Sequence, residues 1–310
     1  MKKYTMSKEE KEYLSKYDIS AFERPSVAAD MAVFSIMEEK KIDPAGKRNP
    51  DNYRKDPMKQ LKLLLIRRAS FPYKNSWALP GGCGQKEETV LETARRELRE
   101  ETGVEDAYLR PFDIFSDKGR DPRGWIISHG FLALIDGEKY RVHEGSDAWE
   151  AKWFKIDIES DEVNREITDN RAQIERIYTL HLICEETENL NMIATVKECK
   201  SFEKYHETVE YDILDRSNLA FDHARIILCA YLALQKEADN EGTIVFDLMP
   251  ERFTLTELQR AFESVLGKPL LVANFRRKFM DYVIETDEYV EGAGHRPAKL
   301  FRRNVEKFCK

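Results

Sequence analysis

Residues 82–104 read GCGQKEETVLETARRELREETGV, and the interpretation of the whole chain starts from this stretch. Gly82 is followed by Glu88, then Arg96-Glu97-Leu98, Glu100-Glu101 and Gly103-Val104. Leu91, Ala94 and Leu98 recur at helical spacing from Glu88 to Glu101, and Gly103 supplies the stop. On such a helix Glu97, Glu100 and Glu101 stand at i, i+3 and i+4, so three carboxylates share one face. Crowded like charges are unfavourable without a cation, and a hard divalent ion with oxygen ligands, Mg²⁺ or Mn²⁺, removes the penalty. The preceding LPGGCG is a glycine-rich loop whose backbone can approach an ion closely. A solvated Glu/Arg face is the common alternative for an acidic helix. Here loop, spacing and stop signal all agree against it.

Outward from the helix, SVAADMAVFSIM (Ser26–Met37) and LKLLLIRR (Leu61–Arg68) read as buried strands, and WALPGG (Trp77–Gly82) as the lead into a turn. The segment between those strands, Glu38–Lys59, is polar with three prolines and reads as a long loop. Strands follow near Ala107–Phe115 and Trp125–Ile135, and AKWFKI (Ala151–Ile156) reads as a last short one. Residues 158–216 have strand-like patterning without a motif and suggest a small inserted sheet. FDHARIILCAYLALQKE (Phe221–Glu237) is an amphipathic helix, and EADNEG (Glu237–Gly242) reads as a linker. The expected organisation is a polar helical lead-in over 1–20, a first domain over 21–157, an insert with its connecting helix over 158–238, and a second domain over 243–310.

The pattern G-x5-E-x7-R-E-U-x-E-E-x-G-U, with U aliphatic, is complete between Gly82 and Val104, and on it the chain resembles the Nudix hydrolase superfamily. The resemblance implies an α+β fold, an α/β/α sandwich with a mixed sheet. It assigns metal ligation to the Gly82 carbonyl with Glu97, Glu100 and Glu101, and to Arg96 the bracing of the helix. The general base is left open among Glu101, Glu144 and Glu150, with the helix glutamates favoured.

The 310 residues are 42% hydrophobic and 35% charged, with a formal net charge of −7, which suits a globular protein. No apolar run is long enough to span a bilayer and the charged N-terminus lacks a signal-peptide core, so no membrane partner and a cytoplasmic location are expected. The five cysteines are scattered, which argues against a disulfide framework or a zinc site. From Glu241 onward Lys and Arg number 12 against 11 acidic residues, while the remainder carries 38 against 46. A basic cluster on an acidic protein marks a candidate phosphate-binding face.

That cluster lies in Pro250–Arg303. Thr254 and Glu257 make a capping box, Leu255, Leu258, Phe262 and Leu266 give an apolar stripe, and Gly267 ends the helix. A second helix, Val272–Tyr282, carries Asn274, Arg276, Arg277 and Lys278. A glycine-tipped hairpin follows with Arg296 and Lys299 on its return. The residues alone suit either a winged helix on double-stranded DNA or a small dimerisation module. The stretches FERPSVAADM, LLIRRASFPYKNSWALPGG, DPRG, LAFDHA, TLTELQRAFESVLGK, NFRRKF and GHRPAKLFRR resemble Nudix proteins that end in a C-terminal winged helix-turn-helix domain and act as NAD-related regulators, and their ADP-ribose pyrophosphatase relatives. The resemblance implies a nucleoside diphosphate ligand such as ADP-ribose, with Arg67, Arg68 and Arg123 as phosphate contacts, and a homodimer. Two functions follow: Mg²⁺-dependent hydrolysis of ADP-ribose to AMP and ribose 5-phosphate, or transcriptional regulation with the Nudix domain as nucleotide sensor.

Overall fold

A computed structural model describes residues 4–38, 59–105, 107–137, 148–187, 189–290 and 297–308. Ten strands form one sheet: β1 (Ser26–Glu38), β2 (Lys59–Arg68), β3 (Trp77–Ala78), β4 (Gly81–Cys83), β5 (Tyr108–Phe115), β6 (Ile126–Leu134), β7 (Ala148–Ile167), β8 (Arg171–Ile183), β9 (Asn191–Glu203) and β10 (His206–Asp215). Eight of them run in the order β10-β9-β8-β7-β2-β1-β6-β5, with β3 paired to β2 and β4 to β1. The sheet is mixed, because β1 and β6 pair in parallel while its other neighbours pair antiparallel.

The central strands are apolar on both pleats because a helix covers each face. Ala29, Met31, Val33 and Leu64 pack with Ala94 and Leu98 of α2 (Val90–Thr102). Ala32, Phe34, Ile36, Leu61, Leu63 and Leu65 pack on the other side with α3 (His223–Asn240), which buries Ile226, Ile227, Ala230 and Leu234. This is the expected α+β sandwich. A short helix, α1 (Lys8–Lys16), precedes it, held by a Ser7/Glu10 capping box and burying none of its residues.

The expected small inserted sheet is instead a widening of the main one. β7 runs unbroken from Ala148 to Ile167, and β8, β9 and β10 add to it as an antiparallel meander. The boundary expected at 157/158 therefore falls inside a strand. No Gly or Pro interrupts residues 157–167, and the polar residues that suggest an end are those of the part of the strand that α3 does not cover.

The C-terminal domain comprises α4 (Leu255–Leu266), α5 (Val272–Phe279) and the hairpin β11 (Val283–Val290) and β12 (Ala298–Arg303). The Thr254/Glu257 capping box is present, and Gly267 closes α4 in the left-handed conformation at φ +65. The linker expected at 237–242 is helical as far as Asn240. After Gly242 a 3-10 turn, Thr243–Leu248, buries Ile244, Val245, Phe246 and Leu248. The polar letters of EADNEG are the solvent side of a helix whose Ala238 is buried, and only Gly242 breaks it. One apolar core thus runs from β1 and β2 through α3 into Phe253, Phe262, Phe275, Phe279 and Phe301.

Candidate metal and diphosphate site and a candidate DNA-binding helix

The loop of β4 is stitched to its surroundings by backbone bonds. Met31 N–H donates to Pro80 O at 2.8 Å, Gly81 N–H to a Glu101 carboxylate oxygen at 2.7 Å and Gly84 N–H to Val27 O at 2.8 Å. Glycine at 82 lets the Glu97 carboxylate close on the loop: a β-carbon there would stand 2.4 Å from Glu97 Oε1 and push that carboxylate aside. α2 starts at a Thr89/Glu92 capping box and ends at Gly103.

Arg96 binds the loop and helix into one unit. Its Nε and Nη2 donate to the two Glu88 oxygens at 2.7 and 3.1 Å, Nη1 to Glu97 at 2.7 Å and Glu100 at 3.2 Å, and Nη2 to the Cys83 carbonyl at 3.2 Å. The fork on Glu88 pulls that carboxyl down to about 2. The bracing role thus includes Glu88, a partner that the sequence pattern contains without giving it a task.

The remaining carboxylates are poised for a cation. Burial pushes Glu101 up to about 8 despite the Gly81 N–H, with Glu97 and Asp30 adding repulsion. Burial also raises Glu97, against the pull of Arg96. Among the described residues no three His, Cys, Asp or Glu side chains converge tightly enough to hold an ion as they stand. The donors are nonetheless those of a hard divalent ion: three carboxylates of one helix face beside the Gly82 backbone, two of them disfavoured as bare anions. The residues fit Mg²⁺ or Mn²⁺. Of the other base candidates, Glu150 is held by Lys152 at 2.8 Å and Arg67 at 3.6 Å, and Glu144 lies outside the described residues.

The three expected phosphate contacts separate. Arg67 and Arg68 point to opposite pleats of β2. Arg67 turns to Asn75 O and Glu150, whereas Arg68 reaches Pro72 O at 2.9 Å and lies 4.8 Å from the centre of the Phe221 ring. Arg123 comes to 5.2 Å from the same ring, anchored bidentately on Asp121. Burial, then repulsion from Arg123, lowers the Arg68 pKa. Both guanidiniums thus lie beside the same aromatic ring.

In the C-terminal domain α5 buries only Phe275 and Phe279 and leaves Asn274, Arg276, Arg277 and Lys278 exposed. Arg276 has no ion-pair partner among the described residues, and Arg277 donates to Asn274 at 3.3 Å. On β12, Lys299 pairs with Glu285 across the hairpin, and Arg303 turns inward to Asp247 at 2.6 Å. Arg296 lies outside the described residues.

Sequence profiles of two families match: the NUDIX domain over residues 53–177 and the NrtR DNA-binding winged helix domain over 245–303. The chain joins a Nudix domain to an NrtR-type winged helix. An ADPR-responsive transcriptional repressor, NtrR, of Acinetobacter baylyi is 27% identical over 96% of this chain and 90% of its own. An ADP-ribose pyrophosphatase of Methanocaldococcus jannaschii is 40% identical over 32% of this chain and 57% of its own. Among solved structures, a MutT/nudix family protein from Enterococcus faecalis superposes with a TM-score of 0.60 at 25% identity, covering 97% of this chain and all of that one. The fold of Shewanella oneidensis NrtR, solved in complex with a 27-mer DNA, matches with a TM-score of 0.56 at 22% identity, over 90% of this chain and 94% of that one.

Around the Nudix site the structure adds residues that the sequence pattern does not single out. Asp30 of β1 bonds Ser128 and lies 3.7 Å from Arg120, whose guanidinium forks onto Asp222 at 2.7 and 2.8 Å. His223 Nδ1 accepts the Leu79 N–H at 2.8 Å. Their signal in the sequence is the run FDH at a helix start, which periodicity shows only as the edge of an amphipathic helix. Among the described residues no helix is long and apolar enough to cross a membrane.

Proposed function

We propose that this protein binds a nucleoside diphosphate of the ADP-ribose class in its Nudix domain and uses it to govern attachment of its winged helix to double-stranded DNA. The observation that carries this reading is the exposed basic face of α5 in the same chain as an intact carboxylate and arginine site. A recognition helix with free cations flanked by phosphate contacts suits the major groove. The whole-chain similarity to an ADPR-responsive repressor supports it. A homodimer belongs to the reading, since two winged helices related by a twofold read two half-sites.

The intact site favours a second activity in the same pocket, hydrolysis of ADP-ribose to AMP and ribose 5-phosphate. A bound Mg²⁺ or Mn²⁺ supplies neutralisation of the diphosphate and a more acidic attacking water. The chain supplies the rest. Arg68 and Arg123 would orient the diphosphate, Arg96 holds the helix carboxylates in register, and Glu101, ionised once a cation offsets the cost of its burial, would take a proton from the water. Arg67, which faces Glu150, lies apart from this set.

Titrating labelled upstream DNA with the protein at low salt, with and without ADP-ribose and Mg²⁺, tests the regulator. Salt-dependent binding that the nucleotide shifts is the expected result, and absence of binding at low salt removes the reading. Assay of AMP release from ADP-ribose with Mg²⁺ tests hydrolysis separately, and light scattering tests the dimer.

A further inference from the structure

Three consecutive residues at the start of α3, far downstream of the Nudix signature, each depart from what their local structure favours. Phe221 sits at φ +49, in the left-handed region that bulky side chains avoid. Asp222 occupies the N-cap of α3 but makes no side-chain cap bond, forgoing a contribution of about 1 kcal/mol. His223 is fully buried inside the first turn, and burial lowers its pKa, so the ring is neutral. Strain, an unused cap and a buried imidazole persist only where the surroundings over-determine them.

What over-determines them is the nucleotide site. Phe221 is the ring beside which Arg68 and Arg123 both lie, and Tyr73 closes its edge at 4.8 Å between ring centres. The Asp222 carboxylate, released from capping, grips Arg120 bidentately; Arg120 also approaches Asp30, whose Oδ1 lies 2.8 Å from where a Gly81 β-carbon would be. His223 Nδ1 accepts the Leu79 N–H, three residues before Gly82, and the proton on Nε2 faces Asp30 at 3.9 Å. The preceding backbone is tied to the same strand edge, with Trp77 N–H donating to Asn218 O at 2.9 Å and Ala220 N–H to Trp77 O at 2.8 Å.

We infer that Phe221, Asp222 and His223 are positioning residues of the Nudix site: His223 sets the height of the 79–82 loop against α2, Asp222 fixes the Arg120–Asp30 floor beneath it, and Phe221 spaces the two arginines. The inference rests on the proposed metal and diphosphate site. None of the three is placed at the reacting atoms; each acts through neighbours that support the loop and the arginines of the site. The Leu79 amide is buried, so removal of its acceptor leaves a polar group unpaired at the root of the loop, which then shifts to find one. Such a shift separates the Gly82 carbonyl from Glu97.

The experiment measures binding of Mn²⁺ alone to the full-length protein by electron paramagnetic resonance, without nucleotide. Variants are His223→Leu, which deletes the acceptor, and His223→Asn, whose amide oxygen stands near the place of Nδ1. Thermal melting of both reports the general consequence of altering a buried site. The expected result is a Kd for Mn²⁺ raised about tenfold or more in His223→Leu and within about threefold of wild type in His223→Asn, with similar melting losses in the two. Equal Mn²⁺ affinity in wild type and His223→Leu, or equal loss in both variants, overturns the inference. Should His223→Leu not fold, Asp222→Asn serves in its place: it keeps the side-chain shape and removes the negative charge that faces Arg120, and unchanged Mn²⁺ affinity there counts as refutation. A wild-type protein that binds no Mn²⁺ overturns the metal-site reading and this inference with it, so the two failures are told apart.

Discussion

Gly82 lies so close to Glu97 that a β-carbon on it would stand 2.4 Å from Oε1 and 2.6 Å from the carboxyl carbon of that side chain. Gly82→Ala therefore drives the Glu97 carboxylate away from the loop, whereas the helix itself is untouched. The expected outcome is Mn²⁺ affinity reduced by about tenfold or more with the circular-dichroism spectrum unchanged. Titration calorimetry checks it.

Arg96→Lys keeps the charge and loses the fork. A lysine ammonium cannot donate in parallel to both Glu88 oxygens and also reach Glu97 and the Cys83 carbonyl. Both metal affinity and melting temperature fall, and Arg96→Lys resembles Arg96→Ala more closely than it does the wild type. Parallel melting curves with and without Mn²⁺ measure this.

The raised pKa of Glu101 makes the metal-free protein sensitive to alkali. The folded chain holds a proton up to about pH 8 that the unfolded chain releases near 4.5. The stabilisation is complete below 4.5 and is lost as pH rises through the folded value. In EDTA the melting temperature declines between these limits, Glu101→Gln flattens that decline, and Mg²⁺ opposes it at the alkaline end. Scanning fluorimetry from pH 5 to 9 is decisive, and a decline of equal slope in Glu101→Gln contradicts the assignment.

On the DNA side, Arg276→Ala with Arg277→Ala weakens binding to all sequences and lowers the salt slope by about two, one for each phosphate that is no longer neutralised. Lys299→Ala changes affinity less, because its ammonium is already paired with Glu285. Anisotropy titrations at several salt concentrations separate the two.

Phe246 lies at the join of the two domains, in contact with the rings of Phe253, Phe262, Phe279, Tyr282 and Phe308. Phe246→Ala costs about 3–5 kcal/mol. Calorimetry is expected to show one lowered transition, with nucleotide and DNA binding lost at the same temperature.

Much of the Nudix site is legible in the sequence because its chemistry is local. Gly82 through Val104 place ligand, brace and stop signal within one loop and one helix, and spacing alone sets three carboxylates on a common face. The α4 capping box and the exposed run of α5 are local in the same sense. Arg67 and Arg68 look alike as letters, but the pleat sends them apart. Contacts such as Asp222 to Arg120 and His223 to Leu79 join positions distant along the chain, and no periodicity announces them. The reach of β7 is hidden for another reason. Past Ile158 the strand is exposed on its outer part, so its polar residues resemble a terminus although the backbone ladder continues to Ile167.

The seam between the halves has a mechanical meaning. Gln235 of α3 donates to Val265 O, Ser264 of α4 to Lys59 O, and a β-carbon on Gly242 would meet the rings of Phe279 and Phe262 at 2.7 and 2.9 Å. Among the described residues these contacts pack the segments on either side of Gly242 directly against each other, with no free linker between them. Cutting the protein at Gly242 would not free two working modules; it would bare aliphatic side chains of α3 on one piece and aromatic rings on the other.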